Sequence, residues 1–155
     1  MLSHHDKVLN IQEIAREAYK TDTLIAFCKA SSNTTRAMAA YTTERATIDL
    51  EPLDKVLNID VERKWIDVEP RVPMDKLVDA TLPHNLLPLI VPEFPGITVG
   101  GAIQGGALES SSFRHGQLND TVLEIDIVLG DGSLVTATPE NRYSDLFWGL
   151  STSYG

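Results

Sequence analysis

The sequence predicts an α+β domain, and three observations carry that expectation. An amphipathic helical pattern at the start runs directly into a short, continuously apolar segment, which is half of an α/β unit. Two polar turns further along are each flanked by short apolar runs, the pattern of β-hairpins. Short helical patterns lie between and after them. With 155 residues, 43% apolar and 23% charged, the chain has the size and composition of one globular domain with its own core.

The elements follow in order. Residues 3–20 form the amphipathic helix, with Ser3 as its N-cap and Asp6 three positions on. Val8, Ile11, Ala15, Ala18 and Tyr19 recur at helical spacing and make its buried face. After Thr21-Asp22, the run Leu24 to Cys28 reads as a strand buried on both faces. A small polar segment follows, then Ala37-Met38-Ala39-Ala40 as a short helix and Ala46 to Leu50 as a second strand. Val56 to Ile59 and Trp65 to Val68 flank the turn Asp60 to Lys64. Pro73 suits the first position of a helix through Ala80, with Met74, Leu77 and Val78 on its apolar side. Leu86 to Val91 is a further strand candidate among prolines. Leu123, Ile125, Ile127 and Leu129 alternate with Glu124 and Asp126, and Asp131-Gly132 turns that strand into Leu134 to Thr138. Ser144 caps a last helix to Leu150. Trp65 and Trp148 read as core residues. No internal repeat or low-complexity linker interrupts the chain.

Composition excludes several functions. A net charge of -9 argues against a nucleic-acid surface, which needs clustered Lys and Arg. It does not argue against holding one diphosphate, which backbone N–H groups achieve without net positive charge. Cys28 is the only cysteine, so neither an internal disulfide nor a cysteine zinc site is expected, and a reducing, intracellular compartment fits best. Residues 1–20 lack the apolar core of a signal peptide, and the longest apolar run, Leu86 to Pro92, is too short to span a bilayer. The sequons at Asn33 and Asn119 then read as chance.

Two stretches carry candidate chemistry. Ala30 to Thr35 follows a strand and precedes a helix pattern; it is either an ordinary polar loop or a phosphate-binding turn. The second stretch is richer. Five glycines and three serines lie between Gly100 and Gly116, including the pairs Gly100-Gly101 and Gly105-Gly106. Glycine permits positive φ and close backbone approach, so this stretch suits a flat ring system and its diphosphate. It is neither a G-x-G-x-x-G fingerprint nor a P-loop. His115 beside Gly116 is a ligand contact or a surface residue, and Glu109 is a ribose contact or a solvated side chain. No metal-ligand cluster, hydrolytic triad or paired carboxylates stand out.

Together these residues resemble a known family. Thr98-Val99-Gly100-Gly101, Gly105, Glu109-Ser110-Ser111-Ser112 and His115-Gly116 resemble the flavin-binding stretch of FAD-linked oxidoreductases of the vanillyl-alcohol oxidase type. Within that type the delta(24)-sterol reductase branch is most similar. Val68-Glu69-Pro70, Val91-Pro92-Glu93, Leu129 to Ser133, Ser144 to Phe147 and Ser153-Tyr154-Gly155 extend the likeness. It is specific from about residue 65 onward and thinner before.

The resemblance implies a PCMH-type FAD-binding domain of two α+β subdomains, about 1–90 and about 91–155, with FAD between them. Ser31, Ser32, Asn33, Thr34 and Thr35 would hold the pyrophosphate. Thr98, Val99, Gly100, Gly101, Ala102, Gln104, Gly105, Gly106, Glu109, Ser110 and Ser111, with His115 and Gly116, would line the isoalloxazine and diphosphate. Many relatives carry a flavin-linked histidine in the first loop; Asn33 fills that place here, so the FAD is expected to be noncovalent. The resemblance also implies that the domain stops short of its C-terminus, that the substrate domain is absent, and that no catalytic residue can be assigned. The expected function is the cofactor half of a flavin oxidoreductase reducing a sterol side-chain double bond, with NADPH the candidate electron donor of the full-length enzyme. Its partner would be a small molecule, a sterol by resemblance, and its location cytoplasmic or membrane-associated. The alternatives are an FAD-dependent alcohol or alditol oxidase, or a noncatalytic flavin-binding fragment that is inactive alone.

Overall fold

The structure is a computed structural model and describes residues 2–28 and 45–153. The expected Ser31–Thr35 site and the Ala37–Ala40 helix lie outside the described residues.

Helix α1 (His4–Lys20) is capped as its sequence dictates: the Ser3 hydroxyl accepts the Asp6 N–H and the Asp6 carboxylate accepts the Ser3 N–H, a capping box. The Ser3 hydroxyl and backbone hold the Asp6 carboxyl below its usual range. The buried face of α1 is Lys7, Ala15 and Ala18, with Val8 and Ile11 half-buried. Tyr19 does not join it and is 70% exposed, because it lies one position past the stripe through Ala15 and Ala18.

Strand β1 (Ile25–Cys28) pairs in parallel with β2 (Ala46–Asp49), Ile25 opposite Ala46 and Cys28 opposite Asp49. β1 is not buried on both faces: Phe27 and Cys28 are exposed among the described residues, and only Ile48 of β2 is deeply buried. The continuous apolar run gave the element, not its burial.

Strands β3 (Val56–Asp60) and β4 (Trp65–Val68) form the expected antiparallel hairpin, with a register shift between Val56 and Asn58. Helix α2 (Met74–Thr81) buries Met74, Leu77 and Thr81 and takes Pro73 as its N-cap. Leu86 to Val91 is not a strand. Pro88 within it and Pro92 after it have no N–H to give a ladder, and the segment instead runs irregularly with Ile90 fully buried.

Helices α3 (Val99–Gly105) and α4 (Ser112–His115) occupy the glycine- and serine-rich stretch. β5 (Ile125–Val128) and β6 (Leu134–Ala137) pair antiparallel around the Asp131-Gly132 turn, where Gly132 has φ +80°. A Cβ there would lie 2.5 Å from the Gln12 carbonyl oxygen, so glycine lets this turn close against α1. Gln12 Nε2 donates to the Gly132 carbonyl at 3.0 Å. Helix α5 (Ser144–Leu150) buries Phe147 and leaves Trp148 49% exposed, edge-on to Phe147 at 5.1 Å; Trp148 is thus not a core residue. Ser144 does not cap α5 but is its first residue: Tyr143 stands at the cap without a side-chain bond, and the Ser144 N–H is already taken by the Asn141 carbonyl at 3.0 Å.

Among the described residues a core cluster gathers Val72, Met74, Leu77, Ile90, Ala102, Ile103 and Leu118. Val72, Met74 and Ile90 are essentially inaccessible, each contributing about 1.5–3 kcal/mol of burial. This cluster joins α2 to α3, so the core sits directly beneath the glycine stretch. Asn119, in the turn Leu118–Thr121, is half-buried, with its side-chain oxygen enclosed and without a partner among the described residues.

Candidate functional site

The residues of the second candidate stretch fold into a short helix, a tight cap and a serine-rich turn. Thr98 is extended and caps α3, its hydroxyl accepting the Gly101 N–H at 3.4 Å. The strand-like segment 70–74 runs beside 97–100. The Val72 carbonyl accepts the Val99 N–H and the Pro70 carbonyl accepts the Gly100 N–H, both at 2.9 Å. The Ala102 N–H donates to the Thr98 carbonyl. All four N–H groups at the start of α3 are therefore engaged within the chain. This helix offers a surface, not a set of free donors.

The glycines divide into three roles. A Cβ on Gly100 would lie 2.8 Å from Pro70 Cβ, so Gly100 allows the helix to press against the 70–74 segment. Gly101 and Gly105, one turn apart, are exposed; a Cβ on Gly105 would meet nothing within 4 Å. They leave one face of α3 bare, the kind of face a planar ring can lie against. Gly106, at φ +66°, ends the helix in the left-handed conformation, and Thr152 packs where its side chain would be. Ala102 and Ile103 face the core, and Gln104 is half-buried.

Beyond the cap the polar side chains satisfy one another. The Glu109 N–H donates to Ser112 Oγ at 2.9 Å, and the Glu109 carboxylate accepts the Ser110 N–H. That backbone bond, with the Ser110 hydroxyl, holds the Glu109 carboxyl below its usual range. Ser111 Oγ donates to the Leu89 carbonyl at 2.7 Å, tying the irregular 86–91 segment to the serine run. Leu108 and Phe113 flank this turn and are exposed, Phe113 at 83%. His115 is half-buried at the end of α4. Gly116 has φ +75° and ψ −154°, and a Cβ there would sit 2.2 Å from the Asp120 carboxylate. Thr98 through Gly116 thus form one continuous unit, its Ala102 and Ile103 in the core and the rest at or near the surface. Among the described residues no group of three His, Cys, Asp or Glu side chains is placed to hold a metal ion. No described helix is long and apolar enough to cross a membrane.

Reading the residues alone missed what lies beneath this unit. Glu69 is completely buried; its carboxylate receives Lys7 Nζ at 2.6 and 2.8 Å, the Lys55 N–H at 2.8 Å and His4 Nδ1 at 2.9 Å. Burial pushes its carboxyl up, but the bonds from Lys7, His4 and Lys55 outweigh burial and hold it below the ordinary range. Its only signal in the sequence was its place in Val68-Glu69-Pro70, next to the proline that receives Gly100.

Comparison with known proteins bears on this geometry. A family model described as FAD binding domain matches residues 5–138. Delta(24)-sterol reductase of Pisum sativum is 45% identical over 108 residues, 70% of this chain and 19% of that protein. Decaprenylphosphoryl-beta-D-ribose oxidase of Mycolicibacterium smegmatis is 32% identical over 65% of this chain and 22% of its own length. Among solved structures, 6-hydroxy-D-nicotine oxidase from Arthrobacter nicotinovorans superposes with a TM-score of 0.74 at 18% identity, over 93% of this chain and 31% of that one. The chain therefore spans less than a third of the length of each of these proteins.

Proposed function

The chain belongs to the FAD-binding domain family of flavin oxidoreductases, and from that premise we propose that it holds FAD for the reduction of a sterol side-chain double bond. The observation that carries the reading is the 45% identity to a delta(24)-sterol reductase over 108 residues of the chain. FAD supplies hydride transfer when bound; the chain supplies orientation and exclusion of water. The bare Gly101–Gly105 face fits the planar ring, and Ala102 and Ile103 anchor that face to the core. Glu109 and His115, on the turn beyond, are proposed cofactor contacts, and Ser31 to Thr35 the pyrophosphate loop. In this reading FAD lies between subdomains of about residues 1–90 and 91–155, and NADPH is the electron donor of the full-length enzyme.

A second reading is an oxidase that returns electrons to dioxygen. The 32% identity to a decaprenylphosphoryl-beta-D-ribose oxidase favours it. One experiment separates the two. The full-length protein is purified with FAD, mixed anaerobically with NADPH, and the loss of flavin absorbance is followed. Bleaching by NADPH and reoxidation by a Δ24 sterol support the reductase. Flavin inert to NADPH but reduced by an alcohol and reoxidised by air would sink it in favour of the oxidase.

A further inference from the structure

We propose that Glu69 is a positioning residue for the flavin-facing helix α3, acting through Pro70 and held in place by its buried clasp with Lys7. The inference rests on the reading of the α3 face as the FAD surface.

The clasp is saturated. One Glu69 oxygen receives Lys7 and His4; the other receives Lys7 and the Lys55 N–H. Lys7 Nζ also donates to the Pro52 carbonyl at 2.6 Å. The Glu69 backbone is fixed at both ends, its N–H on the Lys55 carbonyl at 2.9 Å and its carbonyl receiving the Val72 N–H at 3.1 Å. The next residue, Pro70, has a ring-fixed φ, and its carbonyl direction is set by the peptide that follows, where the Arg71 N–H donates to the Leu53 carbonyl at 2.8 Å beside the Val72–Glu69 bond. The Pro70 carbonyl receives the Gly100 N–H, and the Pro70 ring lies against Gly100 where no side chain stands. Two residues on, the Val72 carbonyl receives the Val99 N–H. The first two helical N–H groups of α3 thus hang on the segment that Glu69 anchors.

A hydrophobic pair would fill the same space without this directionality. It would also leave the Lys55 N–H and the Pro52 carbonyl without these partners. A charged pair with bonds to both oxygens fixes orientation as well as distance. The clasp therefore ties α1, the 52–55 turn and the 69–72 segment into one frame for α3.

The test uses the full chain loaded with FAD, in the Glu69→Gln variant. Amide exchange at Val99 and Gly100, the dissociation constant for FAD and the visible circular dichroism of the flavin are measured. The control is Phe147→Leu, a core change in α5, which supplies none of the clasp's hydrogen bonds, compared at equal loss of melting temperature. The expected result is faster exchange at Val99 and Gly100, an FAD dissociation constant raised about tenfold, and an altered flavin dichroism in Glu69→Gln alone. Where Glu69→Gln does not fold, Lys7→Arg, which keeps the charge but shifts the clasp, carries the same readouts. Unchanged exchange and dichroism, or equal shifts in Phe147→Leu, would overturn the proposal. A wild-type chain with no affinity for FAD would instead overturn the functional reading, and the exchange data alone would then decide whether Glu69 holds α3.

Discussion

Lys7 on α1 and Glu69 after β4 form a buried ion pair, with Lys7 Nζ 2.6 and 2.8 Å from the two carboxylate oxygens and both side chains shielded from solvent. Sixty-two positions separate them in sequence, and their contact ties α1 to the segment that leaves the β3–β4 hairpin. Such a pair is weak evidence for high stability, because desolvation opposes the attraction. It is strong evidence for a fixed geometry, since breaking it leaves a buried charge alone.

The first prediction concerns acid. Burial raises the Glu69 carboxyl, but the bonds from Lys7, His4 and Lys55 outweigh it and hold it below the ordinary glutamate range. A depressed carboxyl contributes stability that is fully present above the unfolded value and lost as pH falls through the folded value. Stability should therefore fall steeply below about pH 4.5. Glu69→Gln, leaving Lys7 buried and unpaired, should lose about 3–5 kcal/mol at neutral pH, whereas Lys7→Met with Glu69→Gln should lose less and show a flatter acid limb. Urea unfolding across pH 3–7 checks this; parallel acid limbs in wild type and double variant would refute it.

The second concerns the bare face of α3. A Cβ on Gly105 would meet no neighbour within 4 Å, so Gly105→Val should fold with stability within about 1 kcal/mol of wild type. Its branched side chain should nonetheless cover the face and abolish FAD binding. Flavin content after dialysis is the measurement, and normal content in a folded variant would remove α3 from the cofactor surface. Gly101→Val is a less clean test, because a Cβ there lies 3.1 Å from the capping Thr98 hydroxyl.

The third concerns Gly116. Its φ of +75° and the Asp120 carboxylate 2.2 Å from a would-be Cβ leave no room for a side chain. Gly116→Ala should lose about 1–3 kcal/mol through backbone strain, and more if the Gln117–Asp120 capping box opens. Gly130→Ala, where nothing lies within 4 Å, should lose little. Equal unfolding midpoints for the two variants would show that the Gly116 turn rearranges freely.

The fourth concerns the flavin linkage. Asn33 has no imidazole nitrogen with which to form a histidyl bond to flavin. Acid precipitation of the FAD-loaded protein should release all the flavin into the supernatant. Colour retained in the pellet would show a covalent bond formed by another residue.

The sequence by itself determined the local elements. Ser3 and Asp6 cap α1, and the Asp60–Lys64 and Asp131–Gly132 turns join their hairpins, because each depends on hydrogen bonds and periodicity within a few residues. It also marked Thr98 to Gly116 as one unit, through its density of glycine and serine. Only the tertiary structure decided what each glycine does there. Gly100 is small for Pro70, Gly106 for Thr152 and Gly116 for Asp120, while Gly105 faces open space. The same holds for Leu86 to Val91, apolar enough for a strand but with prolines that leave a ladder without donors, and for β1, whose apolar run lies partly exposed. The Lys7–Glu69 clasp was illegible for the same reason. Two charged residues far apart in sequence look like solvated surface until the chain closes around them, and their pairing is a property of that closure rather than of either neighbourhood.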